Sequence, residues 1–399
     1  MEGQMKSDTC DLLIDNGAIV TPTGCLDGGF VAVSQGKIVD VGGSSRERPT
    51  ALETLSLDGD YVFPGFVDLH VNGGGGMDIT ASSVEAIRAM CQGHAACGTT
   101  GLLVAITGPT LENAVAGLEA TSSFIDGSKL GSCVLGVQME GPFVTKGKGG
   151  PVFRSYPGAQ SPDLEVVRDL VSASNSHLKI VNFAAELPGG SKIVEYLRAE
   201  GIAVSIGHSD ATYEEACRAI DAGVNYCSHL FNAMTGFSHR DPGIVGAVLN
   251  NSHRVCAEII TDGHHVHPGA IALAMNVLQE NLIIATDATE AVGSDIDHFI
   301  LPIGDGFRVE IRDGRTWGPD GQLIGSVLRM DTAAKNMSEW FGVDNSAIAF
   351  MTSYRPAKVL GLESEIGSIE VGKRADFAVL NKRYEAHKTI KSGETIWSL

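Results

Sequence analysis

A chain of 399 residues, 43% hydrophobic and 19% charged, is long enough to bury a large core and has the composition of a soluble globular protein. Its net charge of −19 argues against a nucleic-acid surface, and no stretch approaches the roughly 18 continuous apolar residues of a membrane helix. The polar start Met1–Cys10 lacks a signal-peptide core, and the 8 Cys are scattered without a C-x-x-C pair. A reduced, cytoplasmic compartment is therefore the simplest expectation.

From Asp11 to Tyr61 the pattern is short and β-like: Leu12-Leu13-Ile14, Ala18-Ile19-Val20, Phe30-Val31-Ala32-Val33 and Lys37-Ile38-Val39, parted by Gly, Asp and Pro turns. The same character returns after Pro356, in Gly367-Ser368-Ile369, Ala375–Leu380 and Glu394–Trp397. Two β-rich ends predict one small β-sandwich built from residues 1–62 and 356–399. Between them, residues 63–355 alternate. Strands are expected at 66–70, 99–106, 134–140, 179–186, 202–208, 224–229, 255–261 and 282–287, with helices such as 83–96, 164–173, 213–222 and 267–278. Repeated β/α alternation of this kind predicts an α/β fold, a (β/α)8 TIM barrel. Two excursions follow strands three and eight: the Gly/Lys/Pro-rich loop 141–162, and 291–325, which reads as a β-hairpin insert. Both should overhang the catalytic face.

Five of the apolar runs end on a side chain that can bind a metal or move a proton: His70, Glu140, His208, His229 and Asp287. Residues at the C-terminal ends of successive parallel strands are how such a barrel builds its site. Glu140, His208 and His229 form a plausible catalytic metal set, since three protein ligands leave a position open for water. Asp287, ending strand eight, can take a water proton and pass it to a leaving group. Any one of these alone reads equally well as a polar residue at a loop edge. Four together, at strands three, five, six and eight, point to a metal-dependent hydrolase.

Other residues stay open between readings. In Asp262-Gly263-His264-His265-Val266-His267 the adjacent His264 and His265 cannot share one face of a regular element. One His is expected to donate to substrate and the others to be structural or solvated. After strand one comes His70-Val71-Asn72, in which a neutral amide replaces the second His of a two-imidazole site. The glycines at 73–76 read as a tight turn more readily than as a phosphate cradle. Arg240 suits an anion or a surface, and Glu186, closing strand four, suits a structural or a catalytic role.

Pro64-Gly65-Phe66-Val67-Asp68-Leu69-His70 resembles the first-strand signature of the amidohydrolase superfamily. Glu140-Gly141-Pro142-Phe143, Gly207-His208-Ser209-Asp210-Ala211-Thr212, His229-Leu230-Phe231-Asn232-Ala233-Met234 and Thr286-Asp287-Ala288-Thr289 narrow it to a resemblance with the N-acetylglucosamine-6-phosphate deacetylase family. The resemblance extends to the tail motif Gly372-Lys373-Arg374-Ala375-Asp376. It implies release of acetate from an amino-sugar phosphate with one divalent metal per subunit, zinc first, with Fe, Co, Mn or Ni as alternatives. Glu140, His208 and His229 match the family's ligands and Asp287 its general acid/base. Asn232 and Ala233 match substrate contacts, as do Leu323, Ile324 and Gly325 in a closing loop. Arg240 and His265 match phosphate contacts, with Arg240 reaching the neighbouring site of a homodimer. Two departures stand out. His70 with Asn72 is a hybrid of the one-metal and two-metal patterns, which implies a weak or empty second site at His70. Gln160 stands where the family carries a substrate-contacting His, so the sugar epimer is open, with an N-acetylgalactosamine 6-phosphate substrate as the alternative. A cyclic-amide amidohydrolase is the further alternative, against which stands the lack of a Lys ending strand four.

Overall fold

The computed structural model describes residues 9–79, 83–108, 110–149, 161–301, 303 and 305–399. Its centre is an eight-stranded parallel sheet whose members pair in chain order: β1 Phe66–Val71, β2 Thr99–Ile106, β3 Val134–Glu140, β4 Leu178–Phe183, β5 Ala203–Ile206, β6 Tyr226–Cys227, β7 Cys256–Ile259 and β8 Leu282–Ile284. A parallel bridge between Val71 and Ala288 brings the two ends of the sheet together. β2 is buried at every position, so it reads as an unbroken apolar run and not as an alternation. A helix follows each strand in sequence: Val84–Ala95, Leu111–Gly127, Leu164–Ala173, Gly190–Ala199, Tyr213–Ala222, Gly243–Asn250, Pro268–Leu278 and Met330–Phe341. The expected (β/α)8 barrel is therefore present.

Local chemistry explains the helix starts. Thr212 and Glu215 make a reciprocal capping box for Tyr213–Ala222, and Asp163 caps Leu164–Ala173. His267 caps Pro268–Leu278 by accepting from the Gly269 N–H at 3.0 Å. That gives this His a structural role, as one of the readings of the His-rich segment required.

The chain ends form a separate eight-stranded mixed sheet. Thr9–Thr21 pairs antiparallel with Gly24–Ser34 and parallel with Thr50–Ser56 and Tyr61–Pro64. The C-terminal strand Phe377–Leu380 joins by pairing with Tyr61–Pro64. Leu12 opposite Val33 and Ile14 opposite Val31 belong to one apolar cluster, while Leu13 opposite Ala32 belongs to another. The two-residue period of a strand thus sends apolar side chains to both faces of this sheet. By contacts the chain forms two compact units: Met1–Val67, Ala95–Thr100 and Met330–Leu399, and then Asp68–His94 with Gly101–Arg329.

The structure corrects several element limits. The fourth to eighth barrel strands end earlier than expected, so His208, His229 and Asp287 lie beyond the ladders. All three adopt positive φ, at 50°, 33° and 51°, which a pairing strand cannot accommodate. Glu186 does not close β4, which stops at Phe183, but lies in the loop after it. The insert after β8 is not a hairpin but a three-stranded antiparallel sheet, His298–Leu301, Phe307–Arg312 and Arg315–Trp317, around Phe299, Leu301 and Val309. Gln160 lies outside the described residues. Among those residues no helix is long and apolar enough to cross a membrane.

Candidate metal centre

Glu140 is the last residue of β3, while His208 and His229 occupy the first turns after β5 and β6. Gly207 allows the approach of the chain before His208, since a Cβ there would stand 2.6 Å from the Asn182 side-chain oxygen. The ligand atoms of Glu140, His208 and His229 all lie within 4.8 Å of one another. Glu140 Oε1 is 2.9 Å from His208 Nε2 and 3.1 Å from His229 Nε2, and the two Nε2 atoms are 3.1 Å apart.

The other ring nitrogens decide what this cluster can hold. His208 Nδ1 faces the Lys148 carbonyl at 2.6 Å, and His229 Nδ1 faces the Asn232 carbonyl at 3.2 Å. A carbonyl only accepts, so each Nδ1 carries the proton and each Nε2 presents a lone pair. Two lone pairs and a carboxylate then converge on one point with no donor among them. Protonating both rings would set two N–H groups head to head at 3.1 Å. A cation satisfies all three groups, and N/O donors of this kind suit a divalent transition metal. Burial opposes the charge on Glu140, and His208 and His70, when protonated, hold its carboxyl well below the usual range; a bound cation would take the place of that positive charge.

Asp287 sits beside this cluster. Its Oδ1 accepts from the Asn72 amide at 2.7 Å and lies 3.5 Å from His70 Nε2. Burial raises its pKa, His70 pulls it down and Glu140 pushes it up again; the outcome is a carboxyl above its ordinary value. That direction suits a group that must both take and return a proton. His70 is fully buried, its Nδ1 2.5 Å from Glu258 and its Nε2 3.5 Å from Glu140. It borders the cluster and stands outside the three-residue set.

The remaining expected residues make contacts of their own. Asn232 shapes the His229 turn through its carbonyl, and the Ala233 carbonyl accepts from the Ser209 N–H at 3.2 Å. Leu323 bridges to Trp317, the Ile324 N–H donates to Thr316, and Gly325 takes φ +55 against the Asp287 backbone. A Cβ at Gly325 would meet the Asp287 carbonyl at 3.0 Å, so this loop packs against the Asp287 backbone. His265 Nδ1 is 2.7 Å from Asp262, whose other oxygen accepts the N–H groups of His264 and His265. Burial works against its charge, but Asp262 holds the His265 ring above its ordinary value. His264 is exposed. Arg240 is exposed in the segment before Gly243–Asn250.

Sequence reasoning gave no role to Glu258, Asp262 or Lys148, and treated Asn72 only as a poor ligand. Glu258 had a signal: a lone carboxylate inside the apolar run Cys256-Ala257-Glu258-Ile259-Ile260. In the structure it accepts from the His229 N–H at 3.0 Å and the Tyr226 hydroxyl at 2.9 Å besides facing His70. Lys148 had none, because its role arises from a loop meeting two others.

A parallel barrel with a Glu/His/His group and a buried Asp of raised pKa on its C-terminal rim is the architecture of a metal-dependent hydrolase. The amidohydrolase family profile matches residues 61–396, and the chain belongs to that family. It is 34% identical over 338 residues to an N-acetylglucosamine-6-phosphate deacetylase of Vibrio furnissii, covering 84% of this chain and 83% of the relative. It is 31% identical to an N-acetylgalactosamine-6-phosphate deacetylase of Escherichia coli O157:H7, covering 91% and 93%. The crystal structure of N-acetylglucosamine-6-phosphate deacetylase from Pasteurella multocida matches with a TM-score of 0.88 at 30% identity, over 97% of this chain and all of that one.

Proposed function

We propose that this chain deacetylates N-acetyl-D-glucosamine 6-phosphate to D-glucosamine 6-phosphate and acetate. The observation that carries the reading is the convergence of Glu140, His208 and His229 lone pairs beside a buried Asp287 of raised pKa. The likeness to amino-sugar phosphate deacetylases supplies the substrate class. One divalent metal per subunit, with zinc the preferred candidate, would be held by Glu140, His208 and His229; bound there, it supplies a Lewis acid for the amide carbonyl and for the attacking water. Asp287 takes the proton of that water and delivers it to the departing nitrogen. The Asn72 amide, donating to Oδ1, fixes the carboxylate while leaving Oδ2 for proton transfer. His70 is the candidate for a weak second metal position, which Glu258 would orient from below.

In this reading Asn232, Ala233 and the loop Leu323–Gly325 contact the sugar, with Gln160 as a further donor. His265, favoured as a cation by Asp262, and Arg240 take the phosphate. Arg240 does so from the partner subunit of a homodimer. The reading also assigns residues 1–62 and 356–399 to the sandwich and 63–355 to the catalytic barrel. It places the enzyme in the cytoplasm, in keeping with its free thiols.

A second reading, N-acetylgalactosamine 6-phosphate as substrate, is favoured by the E. coli relative. Acetate release from the two epimeric phosphates and from unphosphorylated N-acetylglucosamine, measured alongside metal content, tests all of this. A higher kcat/KM on the glucosamine epimer supports the first reading. A higher value on the galactosamine epimer moves the assignment to the second, and no acetate from either overturns both.

A further inference from the structure

Lys148 lies in the loop that follows β3, and both ends of the residue are engaged. Its carbonyl accepts from His208 Nδ1 at 2.6 Å. Its ammonium donates to the Met234 carbonyl at 3.1 Å and stands 3.2 Å from the Asp210 carboxylate. Met234 closes the segment that begins at His229, and Asp210 follows His208 by two residues. One residue therefore ties the β3 loop to the turns that carry both histidine ligands.

Thr145, earlier in the same loop, is fastened in the same direction. The Thr145 N–H donates to the His208 carbonyl at 2.9 Å, its hydroxyl donates to Glu186 at 2.8 Å, and the hydroxyl oxygen accepts from the Asp210 N–H at 3.3 Å. The two histidine turns are themselves laced by the Ser209 N–H to Ala233 carbonyl bond. The loop carbonyl at residue 148 fixes which nitrogen of His208 bears the proton, and so which one is free to bind. Where that carbonyl sits depends on what holds the loop, and the Lys148 ammonium is the charged anchor nearest to it.

We infer that Lys148 is a positioning residue for the metal centre, clasping the His208 and His229 turns so that both Nε2 lone pairs face Glu140. The inference rests on the reading that this group holds a metal. The side chains of Lys148 and Asp210 are 28% and 46% exposed, so the ion pair by itself contributes little. The effect comes from geometry at the ligand, where supporting bonds typically matter about 10–100-fold in metal affinity.

The experiment measures zinc affinity by chelator competition on metal-stripped protein, with thermal unfolding of the same stripped samples as a control. Lys148→Met keeps the aliphatic stem and removes the charge; it is expected to weaken zinc binding roughly tenfold, at the lower edge of that range. Lys148→Arg is expected to restore most of the affinity. Long-range nitrogen–proton spectra of the His rings should show His208 losing its single Nδ1-protonated tautomer in the Met variant and regaining it in the Arg variant. Asp210→Asn leaves the bond to Met234 and is expected to cost less than Lys148→Met, which keeps the test open if the Met variant folds poorly. Equal zinc affinity in the Met variant and the unmodified protein overturns the clasp, as does a loss that Arg does not restore. Unmodified protein with no tight zinc site overturns the metal reading itself.

Discussion

In the proposed mechanism Asp287 meets two opposed demands at the residue scale. As a base it must take a proton and as an acid it must give that proton up, and a carboxyl raised above its ordinary value by burial serves both. Asp287→Asn removes that function while keeping the size of the side chain. It is expected to leave metal content unchanged and lower kcat by about 10²–10⁴-fold. A variant within a few-fold of normal kcat removes Asp287 from proton transfer. His208→Asn acts differently, because an amide cannot replace the imidazole lone pair facing Glu140. Metal content and activity should fall together, as elemental analysis and the acetate assay will show. The positive φ of His208, His229 and Asp287 adds a cost of roughly 1–3 kcal/mol at each position. Three strained residues in one small site fit a backbone held for chemistry at the expense of stability.

Elements rather than single residues set the surroundings. The segment after β8 carries Asp287, then Glu290, whose carboxyl burial and the nearby Asp78 push up to about 8. The unfolded chain binds that proton only below about 4.5. Between these values the folded state holds the extra proton, so its contribution to stability is complete below about 4.5 and is lost as pH rises through about 8. Glu290→Gln mimics the protonated carboxyl at every pH. Its stability should exceed that of the unmodified protein increasingly from pH 5 to pH 8, by up to about 4 kcal/mol at about 1.4 per pH unit. Denaturant unfolding across that range checks it; parallel curves for the two proteins would show that Glu290 ionises normally.

For the whole molecule, the proposed function sets a difficulty: a phosphorylated sugar must be held on a chain of net charge −19. Dedicated cations are needed, and Arg240 and His265 are the candidates. A charge-assisted hydrogen bond contributes about 1.5–3 kcal/mol, so Arg240→Ala should lower kcat/KM roughly ten- to a hundredfold for the phosphorylated sugar. The unphosphorylated sugar should be affected little; equal losses on both would show that Arg240 does not read phosphate. Mixed dimers test the subunit crossing. Pairing an Arg240→Ala subunit with an Asp287→Asn subunit leaves one composite site with neither change, so activity should partly return. Heterodimers that form without any return of activity place Arg240 on its own subunit's site or on none.

Much of the architecture was legible in the chain because periodicity is local. The run 99–106, apolar from Leu102 onward, became a fully buried strand, and the helices at 164–173 and 213–222 start at Asp163 and Thr212 caps. Glu140, His208, His229 and Asp287 could be picked out because each ends an apolar run, and a parallel barrel turns such ends toward one rim. Strand limits were less legible. Ile202–His208 is apolar up to its ligand, yet the ladder stops at Ile206, since the left-handed backbone of His208 depends on the turn it makes and not on its neighbours' hydrophobicity. What only the tertiary structure decided lies at long sequence separation. Glu258 faces His70 across 188 residues, Asn72 reaches Asp287 across 215, and the Lys148 carbonyl sets the His208 tautomer across 60. Composition and period report what each segment buries; which buried or half-buried polar groups then meet is fixed by barrel closure, which no local pattern encodes.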